Sequence, residues 1–318
     1  MQVHQMSEEE KEYLKQYDIT QYDRPSVATD MAIFSIMGKK GRGYQIRDNE
    51  NYRKLPEKKL KILLIKRGSH PYKDCWALPG GFCRNNEDVY ETARRELYEE
   101  TNVKNAYLKL SGIFGDVGRD PRGWIISHTF MALMDGEKCN LRAGSDVWEA
   151  RWFDIRLGKK EIKKVLKKDT ATIENEYQLD LESEVAESEG LRTIKLSATL
   201  REFIDFCDYH ETIRYDIVEN NGFAFDHAKL LTCALISLQQ QVEEDGKIVF
   251  DLMPETFTLT ELQKAFEIIL DRKLLVANFR RKMSRYVQET EQMIEGAGHR
   301  PAKLYKRNIE AFYRGQTP

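Results

Sequence analysis

Three glutamates on one predicted helix are the residues of this chain best suited to chemistry. Glu96, Glu99 and Glu100 stand at positions i, i+3 and i+4, so on a helix their carboxylates share one face. Carboxylates so close together repel one another unless a cation neutralises them. Hard oxygen ligands in this number suit Mg²⁺ or Mn²⁺, which usually shares the phosphate oxygens of a substrate. The cluster therefore predicts a divalent cation site that acts on a diphosphate.

The glutamates lie in a longer motif of fixed spacing. From Gly81 to Val103 the chain reads G-x5-E-x7-R-E-L-x-E-E-x-N-V, where x is any residue. Arg95 stands four residues before Glu99, a helical spacing at which it can hold that carboxylate in place. Asn102 falls where the helix must end, and after Gly it is the residue that best tolerates a positive φ. A solvated helix whose charges have no chemical role would not need all of these residues at these spacings.

The elements that must position this motif are strands around one helix. Asp88 and Glu91 have the reciprocal spacing of a capping box, which predicts that the helix begins after Asp88. Apolar or alternating runs predict strands at 27–37, 59–67, 76–82, 106–114, 124–134 and 149–154. Mixed strands around a capped helix predict an α+β architecture, an α/β/α sandwich with a mixed sheet.

The middle of the chain, 156–215, gives weaker signals. Its segment 174–189 holds seven acidic and no basic residues, which is typical of a solvated surface or loop. The stretches EYQLDLE and RTIKLSA alternate as strands do, and together they predict an added hairpin.

A further helix is predicted from Asp226, which is expected to be its N-cap. Apolar residues recur at spacings of three and four from Ala228 to Val242, so one face of this helix is either core or an interface. We expect that face to form the seam of a homodimer.

The last region has the outline of a winged helix. Thr258 and Glu261 predict a second capping box. A helix at 276–286 and an alternating segment that turns at GAGHRP, 296–301, follow it, and the turn is expected to be the wing. This region carries 12 Lys/Arg against 8 Asp/Glu from residue 254 onwards. Such a basic surface suits the DNA backbone, although a solvated helix face or a protein-interaction module is the alternative.

Within the 276–286 helix, the basic residues occupy consecutive turns, so at least two of them must point outward. Ala277, Phe279 and Met283 are expected to supply its buried side.

The composition limits the class of protein. The chain has 318 residues, enough for two domains, with 32% charged residues, 41% hydrophobic residues and a net charge of −2. No apolar run approaches the roughly 20 residues that cross a bilayer. Five cysteines without a CxxC pair argue against a disulfide framework or a structural zinc. We expect a globular cytoplasmic protein that does not contact membranes.

In these motifs the chain resembles the Nudix-related transcriptional regulators of NAD metabolism, which join an ADP-ribose-recognising Nudix domain to a C-terminal winged helix. The segment from Gly81 to Val103 matches the Nudix box at every position except Asn102. Further resemblance lies in RPSVATDMAIFSI, FGDVGRDPRGWIISHTF, FAFDHAKLL and NFRRKM. The domains implied are an N-terminal extension at 1–21, a Nudix domain at 22–245 with an insert at about 156–215, and a winged-helix domain at 246–318.

The resemblance also implies roles for single residues. Glu96 and Glu100 would bind Mg²⁺ or Mn²⁺, assisted by Glu99 and the Gly81 carbonyl. The residues expected to serve catalysis are Glu99, Arg95 and Glu87. The general base could be Glu99 itself or one of the carboxylates outside the motif, which are Asp120, Asp146 and Glu149.

Arginines and lysines outside the motif are the expected ligand contacts. Arginine suits bidentate contact with a diphosphate. The residues expected to bind the substrate are Arg67, Arg119 and Arg122. The residues expected to contact double-stranded DNA are Arg280, Arg281, Lys282, Arg285, Arg300 and Lys303.

Three functions therefore remain open. The first is an active pyrophosphatase for ADP-ribose or a related nucleotide whose winged helix also binds DNA as a homodimer. The second is a transcription factor in which the Nudix domain only senses ADP-ribose. The third is a hydrolase whose winged helix serves dimer or protein contacts. The complete motif favours the first over the second, and the basic helix favours it over the third.

Overall fold

The structure, a computed structural model, describes residues 6–38, 58–103, 106–136, 147–187, 190–207, 209–294 and 302–313. Arg300, Asp146 and the expected wing turn at 296–301 lie outside these residues. Among the described residues, no helix is both long enough and apolar enough to cross a bilayer.

One large mixed sheet dominates the N-terminal part. Its strands, in chain order, are β1 (Ser26–Gly38), β2 (Lys58–Arg67), β3 (Trp76–Ala77), β4 (Gly80–Phe82), β5 (Tyr107–Phe114), β6 (Ile125–Leu133), β7 (Val147–Leu166), β8 (Thr170–Glu187), β9 (Gly190–Cys207) and β10 (His210–Asn221). The order across the sheet is β10-β9-β8-β7-β2-β1-β6-β5, with β3 paired to β2 and β4 to β1. Only β1 and β6 run parallel in this order, so the predicted mixed sheet is confirmed.

Helix α1 (Glu8–Gln16) precedes the first strand. Helix α2 (Val89–Thr101) follows β4 and carries the motif glutamates. The predicted capping box is confirmed, because Asp88 and Glu91 exchange side-chain to backbone hydrogen bonds. Asn102 ends the helix in the left-handed region with φ 58°, so Asn performs there what Gly performs elsewhere. Ala93 and Leu97 pack the helix against the apolar sheet residues around Met31 and Phe130.

The middle of the chain extends the sheet. The predicted hairpin is confirmed, since β8 pairs with β9 along its whole length. Of the two expectations for the acidic segment 174–189, the solvated surface is confirmed, because Asp180, Glu182 and Glu184 are exposed. The loop is wrong, because β8 runs through these residues as far as Glu187. These residues alternate with the buried Tyr177, Leu179 and Leu181, so the acidic side chains line one face of a strand.

Helix α3 (His227–Glu244) packs its apolar face within the chain. The residues expected to form a dimer seam are at most 1% exposed, and these are Ala228, Leu231, Leu235, Leu238 and Val242. That seam prediction is wrong, because the face is covered by the sheet and by the C-terminal region in one continuous core. Asp226 is also not a side-chain N-cap.

The C-terminal region is the winged helix that the sequence predicts. It contains α4 (Leu259–Leu270), α5 (Val276–Met283), β11 (Val287–Ile294), β12 (Ala302–Arg307) and a short α6 (Ile309–Tyr313). Thr258 and Glu261 form the predicted capping box of α4. Phe279 and Met283 are buried as expected, whereas Ala277 is exposed and that prediction is wrong. Because α5 is short, the buried side chains of Phe279 and Met283 are enough to anchor it.

Candidate functional site

The motif carboxylates surround the glycine turn that precedes α2. Glu96 and Glu100 are buried, while Glu99 is half-exposed and lies near Arg84 and Arg95. A Cβ on Gly81 would lie 2.2 Å from Glu96 Oε1, so only glycine permits this approach. The three carboxylates are therefore not equivalent. Glu96 and Glu100 face the interior, with Glu96 beside Gly81, and Glu99 lies at the rim.

Glu100 has the features of a cation ligand. Its Oε2 is buried and has no hydrogen-bond partner within the described residues. Burial, followed by the nearby Glu96 and Glu99 charges, raises the pKa of Glu100 to about 7. A buried carboxylate oxygen without a donor costs free energy unless a cation pairs with it.

No three His, Cys, Asp or Glu side chains in the described part of the chain already form a metal cage. Mg²⁺ is commonly held by one or two carboxylates together with substrate phosphates. Glu96 and Glu100 beside Gly81 therefore fit the expected cation.

Arg95 organises the rest of the motif. Its Nε donates to Glu87 Oε1 at 2.8 Å, and its Nη1 contacts Glu96 at 2.5 Å and Glu99 at 3.3 Å. Its Nη2 donates to the Phe82 carbonyl at 3.3 Å. The hydrogen bond from Arg95 lowers the pKa of Glu87. Arg95 and Glu87 thus position the glutamates and the glycine turn.

The three arginines expected to bind substrate converge on the segment before α3. The guanidinium groups of Arg67 and Arg122 lie 4.9 Å and 5.1 Å from the centre of the Phe225 ring. Arg122 also lies 5.2 Å from the Phe82 ring, next to Gly81. Arg119 bonds to Asp226, the residue after Phe225. The arginine cluster and the carboxylates therefore meet at the turn that contains Gly81 and Phe82.

Aromatic residues at this site were not predicted from the sequence. Phe225 packs on Tyr72 with ring centres 4.6 Å apart, and both residues have a positive φ, 49° and 58°. Positive φ in bulky residues is strained and concentrates at functional sites. The only sequence signal is the FAFDH stretch, which does not indicate that these rings contact arginines far away in the chain.

Asp30 and His227 form a second unpredicted pair beside the glycine turn. His227 Nδ1 accepts a hydrogen bond from the Leu78 amide at 2.9 Å, and its Nε2 lies 3.7 Å from Asp30 Oδ1. Asp30 also accepts a hydrogen bond from the Ser127 hydroxyl. Burial lowers the pKa of His227. The imidazole therefore ties the start of α3 to β1 and to the segment that leads into the motif.

The alternative general bases differ in their surroundings. Burial alone would raise the pKa of Asp120, but hydrogen bonds from Arg122 lower it. Both Asp120 oxygens accept from Arg122, at 2.7 Å to 3.2 Å. Glu149 Oε1 accepts from Arg151 at 2.7 Å. Glu99 is also near arginine, but its contact with Arg95 is longer, at 3.3 Å, which makes it the better candidate of these three carboxylates.

The Arg119–Asp226 pair gives a prediction about stability. The two side chains are 5% and 12% exposed and form bonds of 2.7 Å and 2.9 Å. Asp226→Ala leaves the buried guanidinium unpaired, so we expect the free energy of unfolding to fall by about 3–5 kcal/mol. Urea unfolding measures this change. The matched control is Asp216→Ala, which breaks the exposed Arg214 pair and should cost about 1 kcal/mol or less. Equal costs for the two variants would contradict the structure.

The winged helix presents its basic residues to solvent. Arg280, Arg281, Lys282 and Arg285 are exposed on and just after α5. Lys282 Nζ donates to the Glu243 carbonyl at 3.0 Å. Lys303 on β12 is exposed and pairs with Glu289 across the hairpin at 2.5 Å. The four predicted DNA contacts of this region are therefore exposed, with Lys282 directed to the end of α3, and Lys303 lies on the hairpin strand β12.

Two family models match the chain. The model described as the NUDIX domain matches residues 54–171. The model described as the NrtR DNA-binding winged helix domain matches residues 249–306.

The chain is also similar to characterised proteins and structures. The ADPR responsive transcriptional repressor NtrR of Acinetobacter baylyi is 29% identical over 95% of this chain and 90% of that protein. The ADP-ribose pyrophosphatase of Methanocaldococcus jannaschii is 46% identical over 31% of this chain and 57% of its own length. Shewanella oneidensis NrtR, crystallised with a 27mer DNA, shares the fold with a TM-score of 0.53 and 21% identity, covering 90% of this chain and 94% of that chain. The chain therefore carries a Nudix domain and an NrtR-type winged-helix domain, the two domains of the Nudix-related transcriptional regulators that it resembles.

Proposed function

We propose that this chain is a transcriptional regulator that binds and hydrolyses ADP-ribose at its Nudix domain and binds DNA through its winged helix. Such a regulator would act in the cytoplasm, where the DNA of its bacterial relative lies. The ligand is suggested by the functions of the two relatives, a repressor responsive to ADPR and an ADP-ribose pyrophosphatase. The arrangement of carboxylates and arginines around one glycine turn supports a diphosphate ligand.

The residues that would bind the ligand form two groups, the carboxylates and the arginines. Glu96 and Glu100, with the Gly81 carbonyl, would hold Mg²⁺ or Mn²⁺. Such a cation, when bound, supplies the positive charge that a diphosphate needs before water can attack it. Arg67 and Arg122 lie on the other side and suit bidentate contact with phosphate oxygens. The exposed rings of Phe82 and Tyr72 border the same cluster and offer surfaces on which a purine could stack.

Hydrolysis requires a group that accepts a proton from the attacking water. Glu99 lies at the rim, half-exposed and within reach of Arg84 and Arg95, so it can accept that proton. Arg95 would keep Glu99 aligned with Glu96. The bond that breaks lies in the oxygen bridge between the two phosphorus atoms, and the products are AMP and ribose 5-phosphate. The complete motif supports retained hydrolysis.

The observation that carries the regulatory proposal is the position of α3. At its start, Asp226 pairs with Arg119 of the arginine cluster, and His227 accepts a hydrogen bond from the Leu78 amide just before the motif. Near its end, Gln239 donates to the Ile269 carbonyl at 3.0 Å, and Glu243 pairs with Arg272 at 2.7 Å. One rigid helix of about 27 Å thus touches both the nucleotide site and the winged helix.

A substrate screen with DNA-binding assays tests this function. Purified full-length protein is incubated with ADP-ribose, NADH or dinucleoside polyphosphates, each with Mg²⁺ or Mn²⁺, and AMP release is measured. We expect ADP-ribose to be the preferred substrate. Binding of ADP-ribose without AMP release would favour the sensor that does not hydrolyse. Hydrolysis without DNA binding at low salt would instead favour a hydrolase whose winged helix contacts proteins.

A further inference from the structure

Helix α3 ends on three consecutive acidic residues, Glu243, Glu244 and Asp245. Its last turn contains no basic residue. The backbone carbonyls at the C-terminus of a helix already carry partial negative charge, so acidic side chains are unfavourable there. A sequence that breaks a local preference usually does so where function requires it. The end of α3 therefore needs a cationic partner from another element.

The winged helix supplies that partner at Glu243. The Glu243 carboxylate pairs with Arg272 at 2.7 Å, and the Glu243 backbone carbonyl accepts a hydrogen bond from Lys282 Nζ at 3.0 Å. Arg272 lies in the turn between α4 and α5, and Lys282 lies in the last turn of α5. One glutamate of α3 thus contacts a cation before the expected recognition helix and another cation near its end.

Arg272 and Lys282 belong to a strongly basic segment of the winged helix. Residues 272–285 contain six Lys/Arg and no Asp/Glu. Arg280 and Arg281 of this segment are exposed, and the segment includes α5, where a recognition helix contacts the duplex. The acidic end of α3 therefore covers part of a surface whose charge suits DNA phosphates.

A phosphate could displace the Glu243 carboxylate at low cost. The side chains of Arg272 and Glu243 are 57% and 55% exposed, and exposed ion pairs contribute little to stability. The planar guanidinium group suits phosphate as well as carboxylate. Attachment of the winged helix does not depend on this pair, because Val242, Ile248 and Phe266 lie in the continuous buried core. The pair can therefore open while the winged helix stays in place.

We propose that Glu243 competes with DNA for Arg272, and that Arg272 is a DNA-backbone contact once a duplex phosphate has displaced this carboxylate. In the free protein, Glu243 takes the place of the phosphate and lowers the affinity for DNA. The competition acts on every DNA sequence alike, because phosphate contacts carry no base information. This proposal rests on DNA binding by the winged helix and is independent of ADP-ribose hydrolysis.

Glu243→Gln tests the competition, with Glu255→Gln as its matched control. Both variants remove one negative charge near the winged helix. Glu255 is exposed and forms no ion pair within the described residues. The probe is a fluorescent duplex of arbitrary sequence at low salt. We expect Glu243→Gln to bind it about threefold more tightly than Glu255→Gln does. A misfolded variant cannot produce this result, because misfolding would weaken binding.

Arg272→Gln completes the test as a double-mutant cycle. Alone, it should weaken DNA binding and make the plot of log K against log salt concentration less steep by about one unit. In the Arg272→Gln background, Glu243→Gln should have no larger effect than Glu255→Gln, because the carboxylate has lost its target.

Three outcomes would overturn the competition. The first is equal DNA affinity of Glu243→Gln and Glu255→Gln. The second is the same gain from Glu243→Gln with and without Arg272, which would indicate an effect of net charge. The third is a wild-type protein that binds no duplex at low salt. Only this third outcome would also contradict the proposed DNA-binding function, so the two failures are distinguishable.

Discussion

Glu100→Gln should reduce ADP-ribose turnover by about a hundredfold or more while the protein stays folded. The change removes the charge that pairs with the cation, which is worth several kcal/mol in such sites. Without Mg²⁺, the variant should be as stable as wild type or more so, because the buried Oε2 lacks a partner within the described residues. AMP release and thermal melting with and without Mg²⁺ measure the two effects.

The pH dependence of stability adds an independent check on Glu100. Its pKa is raised from the ordinary 4.5 to about 7 in the folded protein, so the native state binds more protons than the unfolded state in this range. Wild type without metal should therefore lose stability relative to Glu100→Gln as pH rises from 4.5 to 7.

Glu91→Gln is the matched control for Glu100→Gln, because Gln can keep the capping box at the start of α2. This variant should retain full turnover. If Glu100→Gln also kept full turnover, the assignment of the cation site would be wrong.

Replacing Arg280, Arg281 and Arg285 with Ala together should abolish DNA binding at physiological salt. These side chains lie exposed on and after α5, where a recognition helix contacts the duplex. The plot of log K against log salt concentration should become less steep by about one unit of slope for each phosphate that an arginine no longer neutralises. The triple variant should therefore lose about three units of slope. Fluorescence anisotropy across a salt series measures the slope.

Two controls separate the local effect of α5 from the effect of total charge. The first control removes the same charge from the Nudix part, by changing Lys58, Arg94 and Lys195 together to Ala. It should leave the slope of log K for DNA binding against log salt concentration unchanged. The α5 variant should hydrolyse ADP-ribose at the wild-type rate. An equal decrease of DNA affinity in the two triple variants would indicate that net charge, not α5, governs binding.

Local signals made much of the fold predictable. The capping boxes at Asp88 and Thr258 depend on residues three apart, so the starts of α2 and α4 follow from short stretches of sequence. The motif glutamates are similarly close in the chain. Charge alone left the segment 174–189 open between a solvated surface and a loop, whereas the period-two alternation around Tyr177 predicted the strand that is present there.

Tertiary contacts account for what the sequence did not predict. The apolar face of α3 could have been core or interface, and only the fold decides which surface covers it. Phe225 lies between Arg67 and Arg122, which precede it by more than a hundred residues, so spacing gives no signal of the cluster. Asp226 was expected to cap α3 and instead pairs with Arg119.

The most direct test of the central claim is the DNA affinity of the full-length protein with and without saturating ADP-ribose, for wild type and Glu100→Gln. ADP-ribose can shift the equilibrium between an arrangement that binds DNA and one that does not only if it binds the two with different affinity. We expect DNA affinity to change by about fivefold or more, and the effect to last longer in Glu100→Gln, which does not consume the ligand. DNA affinity that stays the same within error in both proteins would contradict ADP-ribose as the signal.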